Sequence, residues 1–381
     1  MNRWDIRIDL VKAAFIALII KVMSTFSLII PWTPLADTLC VAFSICVMLI
    51  KLCRLTLHIG KLIALCAVSL FALYTCVSIQ QYDLLVTMIA IFLLIDEDME
   101  EYIALMLKIQ TVFLIGHIIA AAILSTTGSQ FRFWYTADER LRFNGGMLHP
   151  NVLSCFIVSC MLMFSWLHFQ RITANQFCWL IIIACFTFLA SRSRTGLLLT
   201  LFLLLLIFLT QMYSQLVEKL ITPLIAVLFP VISAFLFLMQ KLYISGNRAA
   251  LLLNDLLTTR IKLGAYAYVR SGISWLPRYL DYTYTGMITW TQEWNLSKFT
   301  FDCLYSYMPI QMGILWVCIF SLVFVVASKK LDFRDRIFML FWMLFAITEV
   351  HGLNCFKFFP LLLLSSLFSK KGAEDHPFRK D

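Results

Sequence analysis

The sequence predicts an all-α polytopic membrane protein of about twelve transmembrane helices, with N- and C-termini cytoplasmic and a long extracytoplasmic loop between helices 9 and 10. Three observations carry that prediction. Of 381 residues, 61% are hydrophobic and only 14% charged, where soluble domains carry roughly 25% charged residues, and the mean hydropathy is +0.86. Apolar runs of membrane length recur from end to end. Basic residues gather in alternate loops, as expected of loops that stay in the cytoplasm.

The apolar runs fall at 10–31, 35–52, 61–79, 83–95, 101–125, 149–169, 176–191, 196–212, 218–241, 306–327, 337–350 and 355–368. Several are near or below the roughly 17 residues that span a bilayer, 83–95, 337–350 and 355–368 most of all. Arg3, Arg7 and Lys12 flank the first run, and Lys51, Arg54 and Lys61 the loop after the second. Arg171, Lys219, the group Lys329, Lys330, Arg334 and Arg336, and the final Lys370, Lys371, Arg379 and Lys380 fall on the same side. An even count of spans places both termini there. The chain reads as a single integral membrane domain over 1–381, with the long loop at 245–305 and a polar cytoplasmic tail at 370–381. Its first apolar run is long enough to remain as a helix, with no cleavable signal pattern. The net charge of +9 lies mostly in short loops with no consecutive basic block, so nucleic acid is not an expected partner. The twelve cysteines, almost all inside apolar runs and without a CxxC pair, read as small buried residues and not as a metal site or disulfide framework.

The orientation leaves an unexpected set of cations outside: Arg132, Arg140, Arg142, Arg192, Arg194, Arg248, Arg260, Lys262, Arg270 and Arg278. Arginine outnumbers lysine among them, and guanidinium forks match phosphate oxygens in bidentate fashion. A phosphate- or pyrophosphate-bearing ligand near the headgroups fits this pattern; attraction to anionic lipid, worth about 1 kcal/mol per residue, is the simpler alternative. The stretch RLRFNGGMLHPN at 140–151 concentrates the features of an anion site. Gly145 and Gly146 permit close backbone approach, and Pro150 opens a helix whose free N–H groups point outward. SRSRTG at 191–196 keeps Arg192 and Arg194 close to the membrane face. In the long loop, the first part has apolar residues at helical spacing and predicts one interfacial amphipathic helix with Asp255 and Arg260 on its polar side. The second part carries Trp275, Tyr279, Tyr282, Tyr284, Trp290 and Trp294, suited either to stacking on sugar faces or to an interfacial aromatic belt. Lys21, Lys108, His117, Glu349 and Lys357 are the ionisable residues inside apolar runs, where such groups are functional candidates.

These stretches together resemble the O-antigen ligase / Wzy polysaccharide polymerase superfamily. The resemblance rests on Arg142-x-x-Gly145-x-x-x-His149-Pro150-Asn151, then Ser191-x-Ser193-Arg194-Thr195, Leu257-Thr258-Thr259-Arg260, Asp302 with Tyr305 and Gly313, and Glu349 with Asn354 in TEVHGLN. It covers about 130–368 and depends on order and spacing more than on any one motif. It implies an outward-facing enzyme of the bacterial cytoplasmic membrane acting on a glycan carried by undecaprenyl pyrophosphate. Ligases of that group are expected to carry a histidine in the long loop, and 245–305 contains none. The resemblance is therefore polymerase-like, for an O-antigen, capsule or exopolysaccharide, with ligase-type transfer to another acceptor as the alternative. A flippase or transporter would place charges at the bilayer midplane in two similar halves, a pattern absent here.

The implied catalytic set is Arg142, Arg194, Arg260, Glu349, His351 and Asp302, and the implied substrate-binding set is Arg140, His149, Asn151, Arg192, Asp255 and Tyr305. The arginines would stabilise charge on the leaving pyrophosphate. A base, one of Glu349, His351, Asp302 and Asp255, would take the acceptor proton. No metal or other cofactor is expected. Partners would be the lipid-linked oligosaccharide, membrane lipid, a chain-length regulator and a flippase. The topology makes a direct prediction: single cysteines introduced within 132–148 and 271–298 react with an impermeant thiol reagent in intact cells, and those within 329–336 do not. Labelling of the 329–336 loop from outside would reverse the assignment.

Overall fold

A computed structural model describes residues 9–55, 57–126, 134–135, 141–192, 194–280 and 301–369. Arg132, Arg140, the aromatic residues Tyr282, Tyr284, Trp290 and Trp294, and the tail 370–381 lie outside the described residues. The protein is an all-α membrane protein. Its helices are α1 Leu10–Thr25, α2 Pro34–Leu52, α3 Ile59–Ile79, α4 Asp83–Leu93, α5 Met99–Thr126, α6 Pro150–Leu167, α7 Ala174–Ser191 and α8 Arg194–Ile244. After these come α9 Arg248–Leu256, α10 Arg260–Ser271, α11 Leu304–Tyr307, α12 Ile314–Lys330 and α13 Phe333–Phe345. A π-turn, Met308–Met312, and two 3₁₀ segments, His351–Leu353 and Phe359–Leu367, complete them. Among the described residues six helices are long and apolar enough to cross a membrane: α2, α3, α5, α6, α7 and the Gly196–Ile244 part of α8.

The chain folds as two compact units. The first comprises Met1–Lys61, Val86–Met212 and Asn354–Asp381. Its centre is α6, in which 72% of the spanning window is buried, against 11–28% in the other five candidate spans. Helices such as α7 therefore turn Phe186 and Leu189 outward, which suits lipid and not water. The helix starts are capped as their sequences require. His149 accepts the Asn151 amide ahead of Pro150 in α6, and Thr173 with Gln176 forms a reciprocal capping box on α7. Phe15 of α1 packs edge-on against Tyr102 of α5, with ring centroids 5.2 Å apart.

The second unit comprises Leu62–Leu85 and Tyr213–Leu353. Its core is aromatic. Phe229 of α8 meets Tyr305, Phe320, Phe324 and Trp342 with centroids 5.0–6.1 Å apart, and Trp316 of α12 donates to Thr75 of α3 at 2.8 Å. Gly313, at φ +97°, ends the π-turn where a Cβ would lie 2.6 Å from the Trp275 carbonyl oxygen.

Three expectations are modified. The loop expected between 212 and 218 is a single break: α8 runs 51 residues with non-helical angles only at Tyr213 (φ −137°, ψ 48°). A straight helix of that length would extend about 75 Å, more than twice the ~30 Å hydrocarbon core. The run 355–368 is not an α-helix but irregular backbone followed by the 3₁₀ segment. The single amphipathic helix expected early in the long loop is two helices, α9 and α10, because Thr258 (φ 49°) and Thr259 (φ 69°) are left-handed between them.

Gly246 and Gly313 both have positive φ, but nothing lies within 4 Å of a Cβ at Gly246. Gly246→Ala is expected to lower stability by about 1 kcal/mol, from backbone strain alone. Gly313→Ala adds a clash with backbone and lowers the detergent-solubilised melting temperature by several times more, measured side by side.

Candidate functional site

In the second unit, Arg260 is the organising side chain. It opens α10 directly after the left-handed pair Thr258–Thr259, and its guanidinium folds back over that turn. Nη1 donates to the Leu257 carbonyl at 3.1 Å and to the Thr258 hydroxyl, and Nε donates to the Thr348 carbonyl at 2.9 Å. Nη2 stands 3.7 Å from Glu349 Oε1, an ion-pair distance and longer than the 2.7–2.9 Å of a charge-assisted hydrogen bond. Among the described residues Nη2 makes no hydrogen bond. The two side chains are 10% and 9% exposed, so the pair is enclosed on both sides. Three bonds thus fix the guanidinium plane while one nitrogen keeps its donors for another acceptor.

The local sequence explains this placement. The Asn254 side chain accepts the Lys262 amide at 2.8 Å, and its carbonyl accepts the Thr259 amide at 2.9 Å. Asn254 therefore caps α10 in place of Thr259, whose left-handed angles leave its hydroxyl unable to do so. A cation at the first residue of a helix opposes the helix dipole, and the Glu349 carboxylate offsets it.

The remaining proposed residues of this unit divide clearly. His351 lies half-buried two residues beyond Glu349, in the 3₁₀ turn His351–Leu353. Asp302 is half-buried beside Cys303, and the next residue, Leu304, donates its amide to the Ala346 carbonyl at 2.9 Å. Burial pushes the Cys303 thiol up. Asp255 is exposed near the end of α9. Tyr305 is enclosed, 2% exposed, with its hydroxyl donating to the Met343 carbonyl at 3.0 Å; it packs the core and offers no face to a substrate.

In the first unit, Arg142 draws the 140–151 stretch together. It sits in a two-residue antiparallel pairing opposite Trp134. Its Nε donates to the Ser191 carbonyl at 2.7 Å and its Nη2 to Asn151 Oδ1 at 2.6 Å. Arg142, His149, Asn151 and the end of α7 therefore form one cluster at the start of α6. Arg192 is exposed in a left-handed conformation just past α7, and Arg194 is exposed at the first turn of α8. Neither side chain makes a hydrogen bond among the described residues, and neither joins Arg142. Arg140 lies outside the described residues. Gly145 and Gly146 have φ of +57° and +81°, and a Cβ on Gly146 would lie 2.6 Å from Ile29 Cδ1, so the loop needs both glycines.

Sequence reasoning missed the parts that hold these arginines: Asn254, and the carbonyls of Thr348, Leu257 and Ser191. A backbone carbonyl leaves no mark in a sequence, and Asn254 is one polar residue in a leucine-rich helix. Among the described residues no group of three or more His, Cys, Asp or Glu side chains is placed to hold a metal ion. Comparison of the chain with protein-family models, with curated proteins and with solved structures gave no match, so the functional reading rests on the residues described above.

Proposed function

We propose that this protein is a polysaccharide polymerase that joins undecaprenyl-pyrophosphate-linked oligosaccharide repeat units at the outer face of the bacterial cytoplasmic membrane. The product is an O-antigen, capsule or exopolysaccharide chain, and the chain spans the membrane about twelve times with both termini inside. The observation that supports this reading best is Arg260: a guanidinium locked by three bonds, with Nη2 uncommitted beside an enclosed carboxylate. That is the arrangement a pyrophosphate leaving group and an acceptor hydroxyl require.

In this mechanism the acceptor hydroxyl attacks the anomeric carbon of the donor glycan. The bond between that carbon and the pyrophosphate oxygen breaks, and undecaprenyl pyrophosphate departs with the electron pair. Arg260 stabilises the charge that develops on it, a contribution typically of about 10²–10³ in rate. Glu349 takes the hydroxyl proton. It is preferred over His351, Asp302 and Asp255 because its carboxylate stands 3.7 Å from Nη2 of Arg260, the proposed phosphate ligand, with both side chains enclosed. Arg142 and Arg194 are proposed as further pyrophosphate ligands, with Arg192, His149 and Asn151 assisting. A transfer to a different acceptor, as in ligases, uses the same residues; the histidine-free 245–305 segment favours polymerisation.

Two experiments test this. Purified protein given one lipid-linked repeat unit and no second acceptor is expected to produce a ladder of longer chains. A single product formed only after a lipid-core or cell-wall acceptor is added makes it a ligase instead. Separately, Arg142→Ala, Arg194→Ala and Arg260→Ala are expected to lower product formation by at least about 10²-fold. Arg260→Ala also removes an ion-pair partner of the enclosed Glu349 and lowers stability, by up to about 3–5 kcal/mol. Arg260→Lys keeps Glu349 paired and the protein folded, yet restores activity only partly, because an ammonium lacks the two-pronged fork. Full activity in the lysine variant, with normal melting temperature, removes the phosphate-fork role.

A further inference from the structure

The Gly145–Gly146 loop is clamped from outside its own stretch. Leu28 donates its amide to the Gly146 carbonyl at 2.8 Å, and Leu148 donates its amide to the Phe26 carbonyl at 2.9 Å, so Ser27 pairs antiparallel with Met147. The turn that provides this clamp follows α1 and is held by one side chain. Ser27 Oγ accepts the amides of Ile29 at 3.0 Å and Ile30 at 2.8 Å. Both of its lone pairs are then used, and its proton must go to a third group. That group is His117 Nε2 on α5, 2.7 Å away.

Hydrogen-bond geometry thereby assigns the ring. Nε2 accepts and carries no proton, so His117 is neutral in this arrangement. Phe113, one turn earlier on α5, stacks on the ring with centroids 4.3 Å apart and fixes its plane. His117 also abuts the loop itself, since a Cβ on Gly146 would lie 3.3 Å from its Cδ2. His117 is 5% exposed, so the Ser27 contact lies in the interior.

We infer that His117 is a positioning residue: by accepting the Ser27 hydroxyl it holds the 26–30 turn, which clamps residues 146–148 and so sets the placement of Arg142 and the His149–Asn151 helix start. The inference rests on the proposed pyrophosphate role of Arg142, but the clamp itself can be measured without it. Protonation of His117 puts a hydrogen on Nε2 opposite the Ser27 hydroxyl, and the bond is lost. The loop then loosens as pH falls.

Among the described residues the other titratable groups around the clamp are Lys21, Arg142, His149, Cys155 and Lys357; His149 faces the helix start, its Nδ1 accepting the Asn151 amide at 3.1 Å. Lys357 lies with Nζ 4.0 Å from the Phe26 ring centroid, and Cys155 of α6 donates to the Lys357 carbonyl. Lys21 of α1 is ion-paired with Asp37 of α2, and the guanidinium of Arg142 is directed at Ser191 and Asn151.

Amide hydrogen exchange on the full-length protein in lipid nanodiscs gives the direct test. His117→Ala is expected to raise exchange at residues 26–30 and 144–148 at least tenfold, with His117→Gln restoring most of the protection, because its Oε1 accepts the same hydroxyl. Product formation by the wild type falls as the pH is lowered between about 8 and 5, where imidazoles titrate. The glutamine variant keeps most activity and loses the part of that acid sensitivity that comes from the clamp, while the part set by protonation of the Glu349 base remains. Unchanged exchange in His117→Ala overturns the clamp, and an acid loss in His117→Gln equal to wild type overturns the positioning role. If wild-type protein makes no product from lipid-linked repeats, the polymerase reading falls while the exchange result still decides the clamp.

Discussion

The constraint on which this structure depends is that a backbone placed in hydrocarbon must satisfy its own polar groups. An unsatisfied N–H or C=O there costs several kcal/mol. Regular helices meet the requirement internally. Residues 354–359 do not form one, and their partners come from other helices of the first unit. Cys355 donates to Thr87 Oγ1 at 2.9 Å, Gln110 Nε2 donates to the Phe356 carbonyl at 2.6 Å, and Cys155 donates to the Lys357 carbonyl. Phe359 donates to Ser159 Oγ at 3.3 Å, and Asn354 serves Phe356, Lys357 and Phe358 within the segment. The polar residues of α4, α5 and α6 are thus where the irregular segment needs them. The Ser27–His117 bond solves the same problem for the turn after α1.

Charge obeys the same rule with higher stakes. Lys21 pairs with Asp37 at 3.3 Å and Arg336 with Glu218 at 2.6 Å. In each the acidic partner is about a third or more exposed (32% and 47%), so water shares the solvation and the bond is worth little beyond pinning two helices. Arg260 and Glu349 differ on both counts. They are the pair enclosed on both sides among the described residues, and their contact is long at 3.7 Å. A buried pair built for stability would close to hydrogen-bond distance, since desolvation is repaid only by good geometry.

Much of the architecture was legible in sequence, for physical reasons. Apolar runs mark spans because lipid admits little else, and Pro150 after His149 announced the start of α6. Arg142 and Asn151 were singled out within one stretch, and the loop between them brings them into hydrogen-bond contact. The contact between Arg260 and Glu349 was not legible: each residue stands out as a candidate, but it joins segments far apart in the chain and no local pattern pairs them. Ser27 was invisible for the same reason, lying ninety residues from its histidine. The break at Tyr213 has no glycine or proline to mark it, whereas Pro223 and Pro230 sit inside the helix without ending it. The resemblance implied Tyr305 as a substrate contact, but its depth in the aromatic core depends on packing around Phe229 that no local pattern reveals.

The position of Arg260 is the clearest sign that this part of the chain is shaped by chemistry and not by stability alone. It places a cation at a helix N-terminus, against the dipole. It follows two consecutive left-handed threonines, each a strained conformation of order 1–3 kcal/mol. Its helix is capped by a residue from the preceding helix, not by its own N-cap. Each of these departs from what the local sequence would adopt if free, and together they aim one guanidinium at one enclosed carboxylate. Backbone strain and a borrowed cap that converge on a single side chain mark a place where a functional group is expected.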